Sequence, residues 1–244
     1  MILIDAAGHR QVRRSRLYTR MEAGGSVKFL LIFDQPETIR GVAVLARRTA
    51  DGRIHSGVYL PAFGPVFKQP RSAGLGDQIF GTDFAIADLT PEAASEYRYV
   101  RRRDRHIDGL GYFVVDAYPR KIPGRPPSAF GLRKHLLRQD NFMVVRTDVY
   151  DQNLNFYKRI SQHDLKQVDG DSWRANMIIA QDRREAHRTV LKIDRRVYSE
   201  DYVPAELFEQ SYLLNNRHVS NPAVGTTTAK ASRAEQLLLK RFGD

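Results

Sequence analysis

The side chains able to do chemistry are dispersed along the chain. The seven histidines, His9, His55, His106, His135, His163, His187 and His218, include no pair three or four residues apart. That spacing would set two imidazoles on one helix face around a metal; without it, a zinc site would have to be assembled from distant strands. There is no cysteine, which excludes disulfides, thiolate metal sites, a thiol nucleophile and a lipid-modified N-terminal cysteine. A Gly-x-Ser-x-Gly elbow, a Walker loop and a dinucleotide fingerprint are all missing, and Gly109-Leu110-Gly111 reads as a turn. Asp83 and Asp88 could pair as general acid and base, but nothing near them in sequence raises either pKa. Capping a turn or helix is the commoner role. No nucleophile or base can be named, so the expectation is a binding protein without enzymatic activity, cofactor or metal.

Charge suggests what kind of partner is bound. Thirty-nine Lys and Arg against 28 Asp and Glu give a formal charge of +11, which favours nucleic acid, a phospholipid surface or an acidic protein. The runs Arg13-Arg14, Arg47-Arg48 and Arg101-Arg102-Arg103, with Tyr18, Tyr97 and Tyr99 nearby, could neutralise phosphates and stack on bases. A basic β-domain binding nucleic acid is therefore one reading. Consecutive residues on a strand point to opposite faces, however, so such runs form a stripe only if neighbouring strands align them. The alternative is a solvated outer face.

A second candidate surface is apolar. Tyr59–Phe67 and Ile79–Leu89 set aromatic residues among Gly and Pro outside regular strands, the composition of a structured loop packed over a sheet. Phe63, Phe67, Phe80 and Phe84 are candidates to close one side of an apolar cavity, or to plug the core. Val27–Phe33 is apolar at nearly every position, as in a strand covered on both faces or lining a dry cavity. Along Trp173–Ile179, Trp173, Ala175, Met177 and Ile179 share one face.

Strand-length runs separated by short polar turns must position these residues. Asp51-Gly52 lies between Gly41–Arg48 and Ile54–Leu60, and Asp108-Gly109 between Tyr97–Arg103 and Gly111–Tyr118. Asp151–Asn153 joins Phe142–Tyr150 to Leu154–Ile160, Asp169-Gly170 precedes Trp173–Ala180, and Asp182–Glu185 precedes His187–Tyr198. Such turns favour hairpins. Five in succession predict a meander, hence one curved antiparallel sheet, because parallel pairing needs long crossovers. Short helices are expected from Thr90-Pro91 and Pro204. Residues 215–231 read as a linker, and 232–244, with a capping-box spacing at Ser232 and Glu235, as an amphipathic helix able to dock over the sheet. A signal-peptide pattern and a membrane-span-length apolar stretch are absent from these residues.

The order Lys28–Phe33, Pro36, Gly41, Tyr59-Leu60-Pro61-Ala62, Phe80-Gly81-Thr82-Asp83-Phe84, Asp88-Leu89, Tyr118-Pro119, Tyr150-Asp151, Lys158, Trp173, Met177, Thr189 and Phe208 resembles the LolA-like outer-membrane lipoprotein-sorting proteins. The similar branch is the one associated with RND-type exporters. The resemblance covers residues 1–214 and implies a mainly β, open (unclosed) β-barrel with a few short helices. It also implies a periplasmic location and carriage of lipid or lipoprotein acyl chains in a hydrophobic cavity. Relatives carry a helix and a first strand upstream of Met1, so this chain reads as lacking them, with an unpaired sheet edge expected. Partners implied are a lipid or acylated protein, an RND-type transporter and a membrane surface, with nucleic acid the alternative. The residues expected to line the cavity are Phe29, Leu31, Phe33, Tyr59, Phe63, Phe67, Phe80, Phe84, Trp173 and Met177.

Overall fold

The computed structural model of the chain describes residues 1–61, 66–68, 78–123 and 128–220. In chain order the strands are β1 (Ile2–Ile4), β2 (Arg10–Val12), β3 (Arg14–Met21), β4 (Val27–Gln35), β5 (Ala43–Arg48), β6 (Ile54–Leu60) and β7 (Val66–Lys68). Then follow β8 (Tyr97–Ile107), β9 (Leu110–Pro119), β10 (Leu132–Arg138), β11 (Val144–Tyr150), β12 (Phe156–Asp169), β13 (Ser172–Asp182) and β14 (His187–Lys192). Three short helices complete the described secondary structure apart from 3₁₀ turns: α1 (Ile86–Leu89), α2 (Gln210–Leu214) and α3 (Arg217–Ser220).

Turn chemistry accounts for the pairing. Asp108 and Gly109 both take left-handed φ values, 50° and 78°, which a two-residue type I′ hairpin turn demands. Asp151 accepts backbone N–H bonds from Asn153 and Asn155 at 2.9 and 2.8 Å, closing the β11–β12 turn. The predicted meander is present as β8 through β14, all antiparallel. The single predicted sheet is not: the strands divide into a nine-stranded sheet, ordered β2-β1-β14-β13-β12-β11-β10-β9-β8, and a five-stranded sheet, ordered β3-β4-β5-β6-β7. Local turns report which strands are neighbours but not where hydrogen bonding stops, and the breaks fall between β2 and β3 and between β7 and β8. The barrel is open, since β8 and β2 end one sheet and β3 and β7 the other. The edge of β14 is covered by the chain's own N-terminal hairpin, with Leu3 paired to Thr189.

Burial explains why β4 reads apolar throughout: Phe29, Leu30, Leu31, Ile32 and Phe33 are all at most 1% exposed. Alternation sends Phe29, Leu31 and Phe33 into a core shared with Ile79, Phe84 and Ile86 and with Ala180 and Leu191 of the nine-stranded sheet. Leu30 and Ile32 point the other way, into a second core with Tyr59, Phe208, Tyr212 and Leu213. The strand is thus sandwiched, and each face removes apolar surface from water. The short helix expected from Thr90 ends there instead. It begins at Ile86, because the Asp88 carboxylate accepts the Ala85 N–H at 2.8 Å and caps it. Part of the expected linker is structured: α3 buries His218 completely. Residues 221–244, including the expected terminal helix, lie outside the described residues.

Candidate functional site

Cross-strand register places specific residues on the inner face of the nine-stranded sheet, the face turned toward β4 and the 79–96 segment. One row runs Tyr99, Ala117, Arg133, Val149, Lys158, Asp182, His187. The next runs Arg101, Val115, His135, Thr147, Ile160, Ala180, Thr189, Leu3. Phe113 and Leu137 begin a third, which Ile178 and Leu191 continue.

Carboxylates of the 79–96 segment pin it across the first row. Asp83 accepts from His187 Nδ1 at 2.8 Å and from the Thr189 hydroxyl at 2.7 Å. Asp88 pairs with Lys158 and lies 3.8 Å from Arg133, which also pairs with Glu92. Glu96 pairs with Arg48, whose side chain is buried. The Arg133 guanidinium stacks 4.0 Å from the Phe130 ring centroid. Burial pushes the Tyr97 phenol far above its usual range, so it stays neutral beside this network. The segment turns at Phe80 and Gly81, whose φ values are 45° and 70°, and Arg13 holds the turn by donating to the Phe80 carbonyl at 2.5 Å. Arg48 thus spends its charge inside the fold, which removes one member of the basic runs from any external surface.

Beyond the pinned row the inner face opens. Phe113, Val115, His135, Leu137, Thr147, Ile160 and Ile178 are neither buried nor fully exposed, and Ile160 and Ile178 pack against the Phe29–Phe84 core. The His135 Nδ1 lies 2.9 Å from the Thr147 hydroxyl. Burial, aided by the Arg133 charge, pushes this imidazole down to about 4, so it is uncharged at neutral pH. An amphipathic surface with no net charge on its central histidine can bury alkyl chains.

The residues expected to line a cavity do not share one place. Phe29, Leu31, Phe33 and Phe84 are buried together between the sheets, and Phe80 packs edge-on against Phe33 with centroids 5.6 Å apart. Tyr59 lies on the opposite face of the five-stranded sheet, donating to Asn216 Oδ1 at 2.5 Å and meeting the His218 ring. Trp173 and Met177 pair with Gln167 and His163 on the outer face of β13. Phe67 pairs with Tyr59 through β7, and Phe63 lies outside the described residues. Sequence reading missed Val115, His135, Leu137, Thr147, Ile160 and Ile178. The signal was the alternation within β9 through β13, but choosing the inner parity needed the register. Among the described residues, no group of three or more His, Cys, Asp and Glu side chains is arranged to hold a metal ion.

These features define a LolA-like fold: an open, mainly β architecture whose inner face is partly covered by short segments. Three solved structures share it. A domain described as an outer membrane lipoprotein-sorting protein, from Vibrio parahaemolyticus, superposes with TM-score 0.78 at 24% identity, covering 87% of this chain and 88% of that one. A DUF1329 family protein from Desulfovibrio piger gives 0.71 at 19% identity, over 85% and 88% of the two chains. A LolA superfamily protein from Nitrosomonas europaea gives 0.63 at 18%, over 86% and 87%. No curated protein matches the sequence. The model of a protein family described as "Uncharacterized protein" matches residues 25–215, and the chain belongs to that family.

Proposed function

We propose that the chain is a periplasmic carrier that takes up the acyl chains of a lipid or lipoprotein on the inner face of β9–β13. One observation carries this reading: Phe113, Val115, Leu137, Ile160 and Ile178 form a half-buried apolar surface, continuous with a packed core and bordered by a segment tied down through ion pairs. Phe29, Leu31, Phe33 and Phe84 back that surface. Each methylene transferred from water contributes about 0.8 kcal/mol before association costs. The likeness to the lipoprotein-sorting domain supports the same cargo class.

Delivery needs a membrane. The turns β8–β9, β10–β11 and β12–β13 lie at one end of the meander, and each carries an exposed apolar side chain: Ile107 and Leu110, Phe142 (70% exposed) and Val168. These tips are our candidate for contact with a bilayer. An RND-type exporter is the candidate transport partner on the resemblance in sequence.

Mass spectrometry of organic extracts from the purified protein tests the cargo: co-purified lipid is expected. A delipidated preparation that fails to bind a fluorescent fatty acid would overturn the reading. Phe142→Asp should weaken flotation with anionic vesicles several-fold, and unaltered flotation would remove the tips from the account.

A further inference from the structure

The outer face of β8–β10, opposite the acyl surface, holds a cavity. Its volume is ≈ 420 Å³, and Arg102, Arg103, Arg105 and Lys134 surround it, with the carboxylates of Asp104 and Asp116 among them. That volume suits a small-molecule site. A β-bulge between Arg102 and Arg105 builds the wall: these two pair with Val114 and Tyr112 respectively, so an extra residue is accommodated on β8. Bulges re-aim side chains, and here three arginines meet one cavity instead of alternating away from it.

The carboxylates differ in what they leave free. Asp104 is already engaged through both oxygens, accepting from Arg101 at 2.8 and 2.9 Å and from Gln139 at 2.9 Å. Gly111 permits the Gln139 approach, since a Cβ there would lie 2.2 Å from its Oε1. Asp116, with a side chain 5% exposed, accepts from Arg102 through Oδ2 at 2.8 Å, while its buried Oδ1 has no hydrogen-bond partner. Among the described residues Arg103 and Arg105 form no ion pair, and Lys134 rests 5.6 Å from the Tyr150 ring centroid. The cavity therefore combines uncommitted cations with one buried acceptor in need of a donor. Leaving such a group unmet is costly, and guanidinium groups favour phosphate by bidentate hydrogen bonding.

We propose that this cavity binds a phosphate-bearing polar group with a neighbouring hydrogen-bond donor, of the phosphoethanolamine class, phosphate on Arg103 and Arg105 and donor on Asp116. The same chemistry occurs in a soluble phosphate ester and in a lipid head group, and the experiment separates them. Calorimetric titration of the full chain with O-phosphoethanolamine and with inorganic phosphate should show the first binding at least tenfold tighter. R103A/R105A should weaken both at least tenfold, and Asp116→Asn should abolish the preference while keeping phosphate binding. Equal affinity for the two probes, or binding of neither, overturns the proposal. If Asp116→Asn does not fold, Arg105→Gln on the exposed strand still tests the phosphate half: unchanged phosphate affinity overturns it. Retention on vesicles containing phosphatidylethanolamine but not on phosphatidylcholine alone, competed by O-phosphoethanolamine, supports the head group as the source. Binding of the soluble ester without vesicle retention supports a free ester.

Discussion

Replacing Asp88 by Asn should cost the protein about 3 kcal/mol of stability, at the low end of the range for breaking a buried ion pair by removing one partner. The Asp88 side chain is 4% exposed, and its partners Lys158 and Arg133 are 10% and 9% exposed, so water cannot replace the lost charge. Arg133 keeps Glu92, and an asparagine oxygen can still accept the Ala85 N–H. The penalty therefore falls mainly on Lys158, left buried with only the attraction of Asp182, a carboxylate that Arg184 already holds. Urea denaturation followed by tryptophan fluorescence and circular dichroism measures it. The double variant Asp88→Asn with Lys158→Met removes the orphaned charge and should recover most of the loss, so that the cycle shows strong coupling. A loss below about 1 kcal/mol for Asp88→Asn, or additive effects in the cycle, would refute the view that these ion pairs pin the 79–96 segment to the sheet.

Two further outcomes follow from the same geometry. The His135 imidazole is held down to about 4 from its ordinary value of 6.5, so the unfolded chain binds its proton first. Stability should then fall as pH drops from about 6.5 to about 4 and flatten below, a loss of about 2 kcal/mol after allowance for partial exposure. Denaturation midpoints of His135→Gln against the parent across that range should differ by this slope. His163 and His218 are also lowered by burial and contribute equally to both proteins. Gly41 takes φ +78°, and a Cβ there would lie 3.1 Å from Val219 and 3.2 Å from Pro61, beside the carbonyl that accepts from His218 at 2.9 Å. Gly41→Ala should cost about 1–3 kcal/mol and increase proteolysis after Leu214, readable by mass spectrometry of limited digests.

Hairpins were legible because Asp108-Gly109 and Asp151–Asn153 encode their turns locally. The double burial of Val27–Phe33 was also legible, from its lack of alternation. What covers it was not: Phe208 and Tyr212 arrive from more than 170 residues away, and nothing in either segment names the other. The site was obscured for a related reason. Trp173 and Met177 share a face with each other, yet only the pairing of Ala180 with Ile160 and Thr189 reveals that the opposite parity faces inward. The ion pairs of Asp88 and Glu92 with Lys158 and Arg133 join residues whose sequence signal is that of ordinary surface charge.

Paramagnetic relaxation by a doxyl-labelled stearic acid, read on assigned methyl resonances, tests the acyl-binding surface most directly. Selective broadening of Val115, Leu137, Ile160 and Ile178, with Met177 and Val190 on the outer face unaffected, is the predicted result. Broadening centred on the outer face, or none at saturating label, would contradict it.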